Sequence, residues 1–310
     1  MVARAILGPQ RAAPAVAASL VRMGLGNGPV CAITAGWQER EGELDDLEEH
    51  LARRTTDLEL YRRAEAVFRD DTELHEAYRE RQLMLIEMQR LYRRRLDHAM
   101  TAARELSDEP VDSAALDYER RSALRAIRTL DREHLRRIRL VQEHFERGWA
   151  PQSRAAVIAH REEILAILAE SGAVLVAGGH VEVLLNRLRF FGLRELLLDQ
   201  AIVAWSAGAM ALTERVVLFH DHPPQGAGNA EIADAGLGLF PGIVALPHAA
   251  ERLRLGDPKR VALFARRFAP ARCMTLDTGA QMIWRDGRLE TIEGSQQLLR
   301  RGQPGRAKIR

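Results

Sequence analysis

The residues best suited to chemistry begin with Ser206, which stands between the apolar run AIVAW and the small residues of AGAM. A serine on a tight strand-to-helix turn presents its hydroxyl as a nucleophile, and small neighbours let the backbone turn sharply. The amide of Ala207 would open the helix and point at a developing oxyanion. The run therefore predicts a nucleophile elbow, with a purely structural turn as the alternative.

A base for this serine is offered by His248, which follows the apolar run Ile243–Leu246 and Pro247. A serine is a weak nucleophile until a base removes its proton. The carboxyl ends of parallel strands meet at one edge of a sheet, so Ser206 and His248 are expected to meet there. The alternative is a histidine of a surface loop.

Two glycines, Gly178 and Gly179, follow the apolar run Ala173–Ala177 at the same expected edge. Their amides would complete an oxyanion hole with the amide of Ala207. The pair is not a dinucleotide-binding fingerprint, because that motif needs further glycines in a defined order.

Alternating strand and helix patterns surround these residues and predict an α/β fold with a doubly wound, mostly parallel sheet. The expected strands are Ala3–Leu7, Pro29–Ala35, Ala173–Ala177, the run before Ser206, Ile243–Leu246, Met274–Leu276 and Gln281–Trp284. All of them are expected to lie in one sheet.

Residues 39–150 differ from the rest, because glycine and proline become rare and charged residues dominate. A short helix is expected at Asp45–Phe68, followed by an antiparallel hairpin of two amphipathic helices in which Ser113 or Asp112 caps the second. Its arginines alternate with Glu and Asp, which favours a solvated face over a surface for an anionic partner. We therefore expect one α/β domain, residues 1–38 and 151–310, interrupted by a helical insertion at 39–150.

Composition sets broad limits on the function. The chain has 310 residues, 46% hydrophobic and 28% charged, and a net charge of +2, so no general attraction to nucleic acid is expected. The sequence contains no stretch typical of a membrane span or a signal peptide, which predicts a cytoplasmic protein. Cys31 and Cys273 indicate neither a disulfide framework nor a metal site.

The order of these motifs (strand–GG, WSAGA, an acidic loop, then LGLFP…PH) resembles peptidase family S51. That family comprises serine peptidases with a class I glutamine amidotransferase-like fold, including aspartyl dipeptidase and cyanophycinase. The resemblance covers residues 1–38 and 151–294. It implies that Ser206 is the nucleophile, His248 the base, and Gly179 and Ala207 the oxyanion donors. Asp221 falls on an acidic position that some members carry.

A second local resemblance is to cyanophycinase, whose histidine is followed by an HFxxRGRLGR-like run. Here the run is HAAERLRLGD, so Arg252 and Arg254 fall on its first two arginines. Guanidinium groups bind carboxylates through two hydrogen bonds, which suits a substrate that contains aspartate. The alternative is that these arginines only begin a surface helix. His180 ends an AGGH run where the family carries GGGN, and it joins the candidate substrate-binding residues.

The sequence departs from the family at the third member of the triad. Thr278 stands where a glutamate is usual, with Asp277 beside it. Without a carboxylate the imidazole loses control of its tautomer and stabilisation of its charge. Asp277 or Asp221 is expected to take this role.

Other chemistries are weaker candidates. His220, Asp221 and His222 carry metal-binding atoms, but no further ligand has suitable spacing, so no metal is expected. A glutamine amidotransferase would need a cysteine at the elbow, and no feature implies a cofactor.

The sequence thus predicts a serine hydrolase that cleaves a small, Asp-containing peptide or isopeptide and forms a homo-oligomer, most simply a dimer. The alternative is a catalytically weak or inactive domain that acts as a scaffold through its helical insertion.

Overall fold

The structure is a computed structural model that describes residues 2–111, 113–221 and 228–309. Its strands are β1 (Ala3–Leu7), β2 (Val30–Ile33), β3 (Thr55–Asp57), β4 (Ala173–Val176), β5 (Ile202–Trp205), β6 (Arg215–Leu218), β7 (Glu231–Ala235), β8 (Ile243–Pro247), β9 (Arg272–Leu276), β10 (Gln281–Arg285), β11 (Arg288–Glu293), β12 (Gln296–Leu298) and β13 (Pro304–Arg306). Its α-helices are α1 (Val16–Arg22), α2 (Asp45–Leu51), α3 (Leu60–Asp70), α4 (Thr72–Asp108), α5 (Ala114–Trp149), α6 (Ala155–Glu170), α7 (Val181–Phe190), α8 (Leu193–Leu196), α9 (Ala207–Leu212), α10 (Ala249–Arg252) and α11 (Pro258–Phe268). Short 3₁₀ segments lie at Ala35–Arg40 and Pro151–Ser153.

The main sheet has seven strands in the order β11-β10-β1-β5-β4-β2-β3. Five neighbouring strands, β1, β5, β4, β2 and β3, are parallel to one another. Every residue of β2, β4 and β5 is buried, as expected for parallel strands that are covered on both faces. One apolar core lies between the sheet and α1 and α2, and a larger one includes α3, α7 and α9. The chain is therefore a mixed α/β protein with a large, parallel-rich sheet and long helices.

The edge beside β1 is antiparallel. Strand β10 pairs with β1, and β11 returns along β10. The turn between them is Asp286–Gly287, and both residues have positive φ, 47° and 77°. An Asp-Gly pair with this geometry is the usual connection of a two-residue β-hairpin.

Strands β8 and β9 do not join the main sheet, so the expectation that they complete it is wrong. They pair in parallel with each other, connected by α11, in a second sheet of order β13-β12-β9-β8. Apolar periodicity identifies a strand but not its neighbours. Here β10 and β11 occupy the edge beside β1, and β9 pairs with β12 instead.

The single helix expected at Asp45–Phe68 is also wrong, because the structure has α2, β3 and α3 there. Thr55 and Thr56 are β-branched and favour a strand, and β3 pairs in parallel with β2. The stretch 39–150 therefore supplies the edge strand of the main sheet as well as the long helices. The division of the chain into domains remains a prediction.

The two long helices, α4 and α5, form the helical hairpin. Asp71 caps α4 by accepting from the amide of Leu74 at 3.0 Å, and Ser113 caps α5 by accepting from the amide of Leu116 at 3.1 Å. Asp112, the other candidate cap, lies outside the described residues. In the parts of the chain that are described, no helix is long and apolar enough to cross a membrane.

A buried ion pair fastens the hairpin to the α/β body. Arg267 of α11 donates to both carboxylate oxygens of Asp131 of α5, at 2.7 and 2.8 Å. It also donates to the Tyr92 hydroxyl of α4 at 3.0 Å, and that hydroxyl donates to Asp131 at 2.8 Å. Burial, followed by the charge of Asp131, raises the pKa of Tyr92, so the phenol remains a donor. Each polar group of this cluster therefore has a partner, as a buried charge requires.

Candidate active site

Ser206 occupies a strained turn between β5 and α9. Its φ is 49° and its ψ is −119°, a region that residues with a side chain rarely adopt. Gly208 makes the turn possible, because a Cβ there would overlap the carbonyl oxygens of Val176 and Ala177. The strand, the sharp turn and the helix that the sequence predicted are all present, and the serine side chain lines a cavity.

Two glycine segments pack backbone to backbone beside the serine. A Cβ on Gly178 would lie 3.0 Å from the Cβ of Ser206, and a Cβ on Gly179 would overlap the carbonyl of Gly36. Gly179 has a φ of 108°, and the amide of His180 donates to Gly36 O at 2.7 Å. Only glycine allows this close approach, which fixes Gly179 next to Ser206.

Gly179 and Ala207 line the same cavity as Ser206. Within the part of the chain that the structure describes, neither amide donates to another protein group. Ala207 is the first residue of α9, where an amide has no partner inside the helix. Two residues of the cavity wall therefore have a backbone donor without a protein acceptor among the described residues.

His248 follows β8 and has a φ of 56°. Its amide donates to Leu276 O at 3.2 Å, and its ring lies in the cavity of about 790 Å³ that Ser206 also lines, here named the catalytic cavity. The structure has no direct hydrogen bond between these two described side chains. Nδ1 of His248 lies 3.4 Å from Oε2 of Glu251.

Asp277 contacts the main chain beside the histidine rather than its ring. Its Oδ1 accepts from the amide of Ala250 at 2.9 Å, two residues after His248. Its backbone is packed tightly against Gly8, where a Cβ would overlap the Asp277 carbonyl. Thr278, the next residue, is exposed. Asp277 thus anchors the turn that carries His248.

Asp221 is buried, and its carboxylate is occupied by other partners. Arg260 donates to both of its oxygens, and the amide of Arg254 donates to Oδ2 at 2.9 Å. The amide of Asp221 in turn donates to Arg252 O at 2.7 Å. This carboxylate therefore fixes the segment that follows α10.

The predicted substrate-binding residues lie in three different places. Arg252 lines the catalytic cavity, whereas Arg254 lines a second cavity on the other side of the segment. The Nδ1 of His180 accepts from the amide of Val183 at 3.4 Å and caps α7. Of the three predicted residues, one, Arg252, lies at the cavity that Ser206 lines.

Three residues of the site, Arg11, Trp37 and Glu251, were not predicted from the sequence. Arg11 and Trp37 line the catalytic cavity, and Glu251 lies beside His248. The sequence could have indicated Arg11 and Trp37, because they follow β1 and β2 at the same sheet edge as Gly179 and Ser206. Glu251 follows His248 by one helical turn, a spacing that predicts a contact only if a helix begins there.

No group of three or more His, Cys, Asp or Glu side chains among the described residues is arranged to hold a metal ion. His222, the third member of the HDH run, lies outside those residues. Burial raises the pKa of the Cys31 thiol to about 11 and that of the Cys273 thiol to about 12, so neither is a ready nucleophile.

A strained serine between a strand and a helix, with free amides and a histidine in one cavity, is the arrangement of a hydrolase. The family model of peptidase family S51 matches residues 132–292, which is just over half of the chain and includes Ser206 and His248. The chain belongs to peptidase family S51.

A search of curated proteins found no significant match. Among solved structures, the crystal structure of a peptidase from an acI-B1 Actinobacterium is similar to this chain at 12% sequence identity and a TM-score of 0.46. The match covers 97% of this chain and 91% of that chain.

Proposed function

We propose that this protein is a serine peptidase that cleaves a small, Asp-containing peptide or isopeptide through an acyl-enzyme. The proposal is carried by one observation: the strained turn brings Ser206 into the cavity that holds His248 and two free amides. Membership of a peptidase family supports the reaction class. The parallel strand order with helices on both faces supports the class I glutamine amidotransferase-like winding that the resemblance implies.

In the first half of the reaction, Ser206 Oγ attacks the carbonyl carbon of the scissile bond while His248 removes its proton. The carbonyl oxygen becomes an oxyanion and accepts from the amides of Gly179 and Ala207. The intermediate then collapses, and His248 gives the proton to the departing amine. In the second half, water loses a proton to His248 and attacks the acyl carbon, which releases the acid and restores Ser206.

We propose that two aspartates position the histidine through the backbone. Asp277 holds the amide of Ala250 and thereby the turn that begins at His248. Asp221 holds the other end of that turn through Arg252 O and the Arg254 amide. Glu251, whose carboxylate lies 3.4 Å from Nδ1, is the group that faces the ring itself.

For the substrate, we propose that Arg252 binds the aspartate carboxylate. It lines the catalytic cavity, and its guanidinium forms no ion pair with a described residue. Arg11, on the loop after β1, is a second cation on the same cavity wall. A guanidinium and a carboxylate form two parallel hydrogen bonds, which selects an acidic side chain over its amide.

The first test is labelling with a fluorophosphonate probe, which reacts with activated serines. We expect the wild type to be labelled and Ser206→Ala and His248→Ala to lose the label. The matched control is Ser122→Ala, on α5 and outside the catalytic cavity, which is expected to keep it. Asp-X dipeptides and β-aspartyl-arginine, each compared with its Asn counterpart, then test the substrate class. A folded wild type without label would refute the proposal and favour a scaffold role for the hairpin.

We also propose that the chain forms a dimer through the hairpin. Leu83, Met84 and Ile86 of α4 are large apolar side chains that are more than half exposed. Light scattering after size exclusion is expected to give twice the monomer mass, and the triple replacement of these residues by Ser, Gln and Thr to give the monomer. A monomeric wild type would contradict this proposal.

A further inference from the structure

A second cavity, of about 800 Å³, lies between α4 of the hairpin and the body. We name it the hairpin–body cavity and define it by Arg104 of α4, Asp221, Arg254, and Lys259 and Arg260 of α11. It shares with the catalytic cavity only the short segment that runs from Arg252 to Arg254. None of its cations takes part in the proposed reaction.

The carboxylates of this cavity are already engaged. Each one accepts a hydrogen bond: Asp97 from Asn229, Asp108 from Lys259, Asp221 from Arg260, Asp257 from the amide of Arg260, and Glu231 from Arg93. Asp257 caps α11, and the pair of Glu231 with Arg93 is bidentate, at 2.7 and 2.8 Å. Asp108, Asp221 and Glu231 therefore each have a cationic partner, whereas Asp97 and Asp257 accept only from neutral amide groups.

Two guanidinium groups of this cavity have no carboxylate partner among the described residues. Arg104 donates to the side-chain oxygen of Asn229, a neutral group, and forms no ion pair there. Arg254 uses its amide to bind Asp221, but its exposed guanidinium has no hydrogen bond or ion pair with a described residue. Both groups line the cavity with most of their N–H donors unused.

The surroundings of Arg104 disfavour its positive charge. Burial, and then repulsion by Arg260, lowers the pKa of its guanidinium, and Asp97 and Asp221 oppose this only in part. Arg260 has Asp221 as its counter-ion, whereas Arg104 has none of its own. Like charges that converge in a partly desolvated cavity are typical of a site for an anionic ligand.

We propose that the hairpin–body cavity binds a phosphate group, held by Arg104 and Arg254 with Arg260 and Lys259 beside them. The cations come from three elements, namely α4, the segment after α10, and α11. A tetrahedral oxyanion accepts from several directions at once, whereas a carboxylate accepts mainly in its own plane. The volume of the cavity leaves room for an organic group attached to the phosphate.

Titration calorimetry of the full chain with inorganic phosphate tests the proposal, at low ionic strength and with chloride as the matched salt control. We expect saturable binding to the wild type. Arg104→Gln and Arg254→Gln are each expected to weaken it about tenfold, since each loses charge-assisted hydrogen bonds. Arg90→Gln, an exposed arginine of α4 paired with Glu87, is the matched control and is expected to bind as the wild type does.

Arg252→Gln distinguishes the two cavities, because Arg252 lines only the catalytic one. Unchanged phosphate binding in this variant supports the proposal, and binding lost here but kept in Arg104→Gln would overturn it. A wild type that binds no phosphate would also overturn it. Arg254 is exposed, so Arg254→Gln decides the question even if Arg104→Gln fails to fold.

Discussion

The two cavities are nearly equal in volume and are separated by a segment of three residues, yet they are built in different ways. The catalytic cavity is made by backbone, through positive φ at Ser206, Gly179 and His248 and by glycine carbonyl contacts. The hairpin–body cavity is made by charged side chains, and its pairs join distant parts of the chain, such as Arg93 with Glu231. The first depends on residue types at fixed spacing, and the second depends on the tertiary fold.

The largest effect on stability is expected at the buried ion pair that joins the hairpin to the body. Asp131→Asn leaves the Arg267 guanidinium without its counter-ion and is expected to lower the free energy of unfolding by about 3–5 kcal/mol. Urea unfolding measures this, with Asp117→Asn, which removes an exposed pair with Arg120, as the control that changes it by less than about 1 kcal/mol. Equal losses in both variants would mean that the buried pair does not fasten the hairpin.

A substitution at Gly208 tests whether the catalytic cavity depends on close backbone contacts. Gly208→Ala places a methyl group on the carbonyls of Val176 and Ala177, and we expect a loss of about 2–4 kcal/mol together with the loss of probe labelling. Gly148→Ala, at a glycine of α5 with nothing within 4 Å of the added carbon, is expected to raise stability by about 0.5–1 kcal/mol. A labelled, stable Gly208→Ala variant would refute a backbone-built site.

A pH dependence is expected from Glu41, which follows the segment that carries Gly36 and Trp37. Burial raises the pKa of its carboxyl to about 7, although it accepts from the amides of Tyr61 and Arg62. Because the folded pKa lies above the unfolded value near 4.5, the folded chain binds the extra proton and loses stability as the pH rises from about 4.5 to 7. Glu41→Gln removes this slope.

Chemical unfolding at pH 5 and at pH 7.5 measures the difference. Relative to the wild type, Glu41→Gln is expected to gain on the order of 1–3 kcal/mol between these two values. Comparing each variant with the wild type at the same pH cancels the contributions of the other groups. A difference that is the same at both pH values would contradict the raised pKa.

The smallest effect separates Asp277 from its neighbour. Asp277→Ala removes the acceptor for the Ala250 amide, so we expect the rate of probe labelling to fall about tenfold, which corresponds to about 1.4 kcal/mol. Thr278→Ala changes an exposed residue and is expected to leave the rate within about twofold. A larger loss of labelling rate in Thr278→Ala than in Asp277→Ala would indicate that Thr278, and not Asp277, positions the histidine.

The contrast between the two cavities also explains which features could be predicted from the sequence and which could not. The strands around Val174 and Val203 and the elbow at Ser206 follow from short-range composition, and the structure has them at the expected places. The partner of β8, the position of Arg254 and the break of the Asp45–Phe68 helix depend on which segments meet in space. No local pattern carries that information, because apolar periodicity describes one element at a time.

The place of the hairpin in the chain has a consequence for how the protein reaches its fold. Strand β2 pairs with β4, with Val30 opposite Ala173, although the whole hairpin separates the two strands in the sequence. Strand β1 likewise pairs only with β5 and β10, which follow the hairpin in the sequence. The hairpin itself needs only contacts between neighbouring helices, which form fast. During synthesis we therefore expect the helices to assemble first, while the first three strands remain without the partner that completes their sheet.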